Sequence, residues 1–260
     1  DKVRYINTLL KVGFDIIDFG SFVSQKAIPQ LRDTVEVLQN LDLENTNTKL
    51  LAIIGNLRGA KEASQHKAIK YIGFPFSISD TFLRMNINSN IEKAFALCHD
   101  LLEVCDKSGN ELMIYLSMAF GNRYNDPWSP DLVAEWVYQL QKNGAIEINL
   151  SDTIGVSTPE KVNDVFSLLV NEFPKVNFGF HLHTKEIDWY EKVDIAYRAG
   201  CRSFDGVLSG AGGCPMTGSE MVGNLHMRNL INYLDNNNVE LNLNREQLDK
   251  AYEVALSVFE

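Results

Sequence analysis

His181 and His183 stand two residues apart in the stretch NFGFHLHT, Asn177 to Thr184. A strand sends successive side chains to opposite faces. The two imidazoles therefore share one face with Gly179 below them, while Phe178, Phe180 and Leu182 take the other face as packing. Two neutral imidazoles on one face suit a divalent first-row ion, and additional oxygen ligands move the preference toward Mg2+ or Mn2+. Taken alone, the spacing fits equally a core histidine beside a surface one. A second source of chemistry is the loop SGAGGCPMTG, with Gly210, Gly212, Gly213 and Cys214 before Pro215. Glycines let a backbone take positive φ and approach a ligand closely. A cysteine held there could move a proton if a metal or the loop amides lowered its pKa, or it could be an incidental thiol.

Other polar residues fall where strands end: Asp18, Ser117, Asn149 and Asp152. Asp18 could be a carboxylate acid/base, the partner of a metal ligand, or a rim residue paired with a cation. Asp18, Asn149, His181 and His183 have apolar neighbours in sequence and are expected to converge in one cavity. Asn224, after the glycine loop, could give a carboxamide oxygen to a metal; its position reads more simply as the cap of a helix beginning at Leu225. His66, His99 and His226 show no partners in the sequence, the first two lying in helical stretches. Cys98 and Cys105, seven apart on a helix, share one face and read as core.

These residues need a scaffold, and the chain supplies a regular one. An opening helix over about 2–12 precedes seven apolar runs rich in β-formers: 14–20, 49–55, 71–78, 111–120, 145–152, 177–184 and 202–210. Between them lie helical patterns. Val133, Trp136, Val137 and Leu140 follow Ser129-Pro130, and Val162, Val165, Phe166 and Leu169 follow Thr158-Pro159, each pair supplying a cap and a first turn. Short strands alternating with helices predict βα units around a parallel sheet. A doubly wound sheet usually shows a glycine-rich phosphate loop after its first strand, and none is present. The expectation is an α/β fold, a (β/α)8 TIM barrel forming one catalytic domain over 1–260. Helices around 224–235 and 245–259 would close it, and the first strand would lie upstream of Asp1.

With 260 residues, 45% of them hydrophobic, the chain has ordinary globular composition. A net charge of −10 with scattered basic residues argues against nucleic acid and against a membrane-surface patch. The apolar runs are far shorter than a membrane helix needs. Four cysteines without zinc spacing predict free thiols in a reducing, cytoplasmic compartment.

In this order, SFVSQKAIPQ (21–30), LSDTIGVSTP (150–159), HLH (181–183) and GAGGCP with GNL (210–225) resemble the 3-hydroxy-3-methylglutaryl-CoA lyases, members of the metal-dependent (β/α)8 lyases and synthases. The resemblance spans essentially the whole chain, and the cysteine-bearing glycine loop is its most specific part. It implies that His181, His183 and Asn224 hold Mg2+ or Mn2+, displacing the cap reading. It further implies that Cys214 acts in proton transfer, with His181 as a possible base. Asp18 falls where the lyases carry a catalytic glutamate and Asp152 on the family's strand-six aspartate; Asp152, Asn149 and Ser117 are the expected substrate-binding residues. An acyl-CoA is the implied substrate, acetyl-CoA and acetoacetate the products, leucine degradation the setting and a homodimer the assembly. Lys26 and Arg123 could meet CoA phosphates or be solvated charges. Three departures stand out. The family's strand-one Arg-Asp is not in these residues, Asp18 replaces glutamate, and Thr184-Lys185 replaces the usual Asp-Thr.

Overall fold

The computed structural model describes residues 1–26, 28–213 and 222–259. All seven predicted strands form: β1 (Ile16–Ser21), β2 (Lys49–Ile53), β3 (Ile69–Ser77), β4 (Glu111–Ser117), β5 (Glu147–Asp152), β6 (Asn177–Leu182) and β7 (Ser203–Asp205). They follow one another in sequence order in one sheet, and the registered pairs run parallel. The helices are α1 (Lys2–Leu10), α2 (Thr34–Gln39), α3 (Leu57–Ala63), α4 (Asp80–Ile87), α5 (Ile91–Ser108), α6 (Pro130–Lys142), α7 (Pro159–Glu172), α8 (Trp189–Arg198), α9 (Met227–Asn236) and α10 (Arg245–Phe259). Parallel strands taken in order with helices between them are the α/β architecture of a TIM barrel.

The chain divides into two compact units, Asp1–Gly73 with Glu103–Glu111 and Leu234–Glu260, and Phe74–Leu102 with Leu112–Tyr233. In the first, β1 pairs β2 and β2 pairs the start of β3. Leu50, Leu51, Ala52, Ile54, Ile69 and Ile72 form its buried centre, and α1 packs against α10. In the second, β6 runs between β5 and β7. Its outward residues Phe178, Phe180 and Leu182 are buried as predicted. Phe180 meets Phe120 and Phe166 of α7, each with ring centroids 5.2 Å away. Truncating a buried phenylalanine of this kind costs about 3–5 kcal/mol, so this aromatic layer fixes which face of β6 looks inward.

The two predicted caps form. Ser129 accepts from the Leu132 amide at 3.0 Å and Thr158 from the Lys161 amide at 3.4 Å, with a proline opening each helix. Each such cap contributes about 1 kcal/mol. Several boundaries differ from the sequence expectation for local reasons. β4 stops at Ser117 because Met118 turns to φ +62°, held by a 2.9 Å hydrogen bond from its amide to the Thr153 hydroxyl. β7 stops at Asp205, and Val207 pairs only with His226 in an isolated bridge. The helix expected at Leu225 starts at Met227, and its first turn is capped by His226, whose Nδ1 accepts from the Arg228 amide at 3.2 Å. His66 lies beyond the end of α3, not in a helix, and packs on the Phe22 ring at 5.6 Å.

Candidate functional site

Parallel register collects the site. Tyr115, Asn149 and Gly179 form one row across β4, β5 and β6. Two residues further along each strand lie Ser117, Ser151 and His181, and β7 adds Asp205 opposite His181. Residues two apart share a face, so both rows point to the same side of the sheet.

Three of these side chains and His183 form a continuous polar chain. Asn149 Nδ2 donates to both Asp205 oxygens, at 3.1 and 3.3 Å. Asp205 Oδ2 lies 2.9 Å from His181 Nδ1, and His181 Nε2 lies 3.2 Å from His183 Nε2. Gly179 makes room for it: a Cβ there would stand 2.1 Å from Asn149 Oδ1, so only a bare backbone lets the carboxamide lie across β6. Tyr115 packs edge-on against the His181 ring, with centroids 5.6 Å apart and planes at 85°.

His183 is buried, and its pKa is pushed down to about 4, chiefly by that burial and then by His181, with the Thr153 backbone pulling weakly the other way. It is therefore neutral near pH 7, the form that binds metals. Its Nδ1 has no hydrogen-bond partner among the described residues. Two facing lone pairs at 3.2 Å repel unless a proton or a cation lies between them. Two nitrogens each about 2.1 Å from one six-coordinate ion, at right angles, stand about 3.0 Å apart, so the pair fits such an ion. Among the described residues no cluster of three or more His, Cys, Asp or Glu side chains is arranged to hold a metal. Among the described residues, a further ligand for such an ion would therefore have to come from a group other than these four residue types.

Asn224 offers one. The segment around it pairs with the end of β6, with His183 and Asn224 in an antiparallel bridge. The Thr184 amide donates to Gly223 O at 2.9 Å and the Leu225 amide to Leu182 O at 3.0 Å. Asn224 Nδ2 donates to Ala211 O at 2.8 Å, which leaves the carboxamide oxygen as the end that could face a metal. The glycine loop clasps this residue. Gly210, Gly212 and Gly213 take positive φ as expected, and a Cβ on Gly212 would stand 3.1 Å from Asn224 Nδ2. Beside it opens a cleft of about 320 Å³ lined by Lys185, Glu186, Trp189, Asn224, His226 and Asn229 among others. His226 thus acquires the surroundings its sequence context did not show; burial holds its ring below the ordinary imidazole range, Arg228 acting in the same sense and Glu186 in the opposite one. Cys214 lies outside the described residues.

The other candidates have surroundings of their own. Asp152 is buried and faces its own loop. Its Oδ1 accepts from the Val156 amide at 2.8 Å, its Oδ2 from the Ser157 amide at 3.0 Å and hydroxyl at 2.6 Å, and Lys192 Nζ approaches to 3.9 Å. Ser117 is buried, and its carbonyl accepts from the Ser77 hydroxyl at 3.0 Å. Asp18 is an exposed residue of β1 in the first unit. Lys26 and Arg123 are exposed. Cys98, Cys105 and Cys201 are free buried thiols, each pushed up to about 12 by burial, as inert core thiols should be. Sequence reading missed Asp205 and Lys192. The signal for Asp205 was its register opposite His181, which a motif search cannot see.

A parallel βα fold with a histidine pair at the C-terminal end of one strand, beside a carboxamide in a glycine-clasped segment, defines a TIM-barrel protein with a candidate metal site at the C-terminal ends of its strands. The HMGL-like family model matches residues 1–255, and the chain belongs to that family. It is similar to the mitochondrial hydroxymethylglutaryl-CoA lyase of Mus musculus, 30% identical over 251 residues that cover 96% of this chain and 76% of that protein. Among solved structures it resembles the HMG-CoA lyase of Bacillus subtilis, with a TM-score of 0.91 at 28% identity, covering 100% of this chain and 87% of that one. It also resembles an HMG-CoA lyase of Acinetobacter baumannii solved with coenzyme A and 3-methylmalate, with a TM-score of 0.87 at 28% identity, covering 96% and 81%.

Proposed function

We propose that this chain cleaves 3-hydroxy-3-methylglutaryl-CoA to acetyl-CoA and acetoacetate. The observation that carries the reading is the pair of facing Nε2 atoms of His181 and His183, 3.2 Å apart beside Asn224, in a member of the HMGL-like family. The coenzyme A in the Acinetobacter structure supports an acyl-CoA as the substrate class. A divalent cation, Mg2+ or Mn2+, held by His181, His183 and Asn224, would act as a Lewis acid on the tertiary hydroxyl and a neighbouring carbonyl oxygen.

The reaction moves one proton and breaks one carbon–carbon bond, with no net oxidation. The hydroxyl proton leaves, the bond to the tertiary carbon breaks, and its electrons form the enolate of acetyl-CoA, which is then protonated. His183 is buried and neutral at pH 7, so one of its two ring nitrogens offers a lone pair and the ring is a poor proton acceptor. His181 spends Nδ1 on Asp205 and aims Nε2 at His183, so we read it as a ligand and not the base. Cys214 is the residue we assign to enolate protonation, and Asp18 is a second acid/base candidate. We assign Asp152 to its loop, since both its oxygens are occupied there. Among the described residues no helix is long and apolar enough to cross a membrane. The three buried free thiols support a reducing, cytoplasmic compartment, and the family resemblance supports a homodimer working in leucine degradation.

The test is acetoacetate release from 3-hydroxy-3-methylglutaryl-CoA with Mg2+ and with EDTA. Release that needs the metal and is lost in His183→Ala and Cys214→Ala is the expected result. No release from folded, metal-loaded protein would overturn the substrate assignment.

A further inference from the structure

His181 has two ring nitrogens, and its use as a ligand depends on which one carries the proton. Asp205 Oδ2 lies 2.9 Å from Nδ1. An ionised carboxylate only accepts hydrogen bonds, so this contact needs the proton on Nδ1 and leaves the lone pair on Nε2, the atom that faces His183. Asp205 is itself braced, because Asn149 Nδ2 donates to both its oxygens and the bare Gly179 backbone is what lets Asn149 reach that far. Tyr115 fixes the ring plane from the side. Four strands thus converge on one imidazole. Asp205 is about one-third exposed, and a plain surface ion pair there would add little to stability, so the bracing is out of proportion to a structural role.

We propose that Asp205 is the positioning residue of the site, holding His181 as the Nδ1–H tautomer with its Nε2 lone pair presented to the cation, and that Asn149 lying over Gly179 is the strut that holds Asp205. The proposal rests on the metal reading of the histidine pair. Carboxylates behind ligating histidines typically change metal affinity 10–100-fold when removed.

The test is calorimetric titration of the metal-free protein with Mn2+, for the wild type and for Asp205→Ala, Asp205→Asn and His183→Ala. It is paired with nitrogen–proton correlation spectra of the histidine rings. We expect Asp205→Ala to bind Mn2+ about 10–100-fold more weakly at near-native melting temperature, and its His181 ring to lose the Nδ1–H preference. Asp205→Asn, whose carboxamide oxygen can still accept from Nδ1, should recover most of the affinity. Folded Asp205→Ala that binds Mn2+ like the wild type, or a wild-type spectrum with the proton on His181 Nε2, would overturn the proposal. If Asp205→Ala does not fold, the asparagine variant and the wild-type spectrum decide. His183→Ala separates the two readings. Weak binding there with unchanged binding in Asp205→Ala sinks only the positioning role. Unchanged binding in both sinks the metal site at this pair.

Discussion

Asp152 and Asp205 both terminate strands of the same sheet, on β5 and β7, and they do opposite work. Asp152 is enclosed and saturated: two backbone amides, one hydroxyl and a buried lysine take its oxygens, all but the lysine from its own loop. Asp205 is partly open and spends its oxygens on two side chains from other strands, Asn149 on β5 and His181 on β6, of which His181 still has a nitrogen to give. A carboxylate whose partners are backbone amides is fixing a loop. A carboxylate whose partner is an imidazole with a second reactive nitrogen is preparing a site. Position at a strand end did not distinguish them; the identity of the partners does.

The largest effect should come from breaking the saturated member. Asp152→Ala takes from buried Lys192 the carboxylate that it meets among the described residues. Removing one partner of a buried pair costs about 3–5 kcal/mol, so chemical denaturation should show a loss of that order. Adding Lys192→Met should return a substantial part of it, because the uncompensated charge is gone. If Asp152→Ala is instead as stable as the wild type but shows a raised KM for the acyl-CoA, then Asp152 meets substrate and the contrast with Asp205 collapses.

His183 lies between the two cases, buried like Asp152 but with an Nδ1 that has no hydrogen-bond partner among the described residues. Its pKa is depressed to about 4 in the fold against 6.5 for the free side chain. Between those values the unfolded chain binds a proton that the folded chain refuses, so this group's contribution makes stability rise with pH from about 4 to 6.5 and level off above. The full gap corresponds to up to about 3 kcal/mol. Unfolding free energies measured in EDTA across that range should be steeper for the wild type than for His183→Asn by roughly that amount. Parallel curves would mean that the ring is not held neutral.

Much of this was legible beforehand, and the reason is periodicity. The two-residue alternation of Phe178, Phe180 and Leu182 against Gly179 and His181 fixes the faces of β6, and Ser129-Pro130 and Thr158-Pro159 mark helix starts by local chemistry that tertiary contacts have no cause to override. What was not legible is register. Asp205 and Asn149 are 56 residues apart, and only the pairing of β5, β6 and β7 brings them together. Met118 ending β4 with positive φ was equally hidden, since nothing in YLSM announces a left-handed residue. The capping of α9 by His226 in place of Asn224 follows from the bridge between His183 and Asn224, which holds the asparagine against β6.

The Asn149–Gly179 fit can be broken from either side. Gly179→Ala puts a Cβ within 2.1 Å of Asn149 Oδ1, closer than atoms can stand, so the carboxamide must swing off Asp205 or the strands must part. Overpacking of this kind costs about 1–3 kcal/mol, read as a lowered unfolding midpoint. Gly179→Ala with Asn149→Ala should regain the stability, because the clash is gone. It should not regain Mn2+ affinity, because the strut is gone too. Recovery of both would make Asn149 a filler and leave Asp205 to hold His181 unaided.

The smallest effect in stability belongs to Asp205 itself, and its smallness is the point. Asp205→Ala removes two partly solvent-exposed hydrogen-bonded contacts, each worth about 1 kcal/mol or less, and water can reach the groups left behind. The unfolding free energy should therefore fall by no more than about 1–2 kcal/mol, well below the Asp152→Ala loss. A fall as large as that of Asp152→Ala would show that the polar chain on β5, β6 and β7 is part of what holds the sheet together. The two aspartates would then differ in their partners but not in their work.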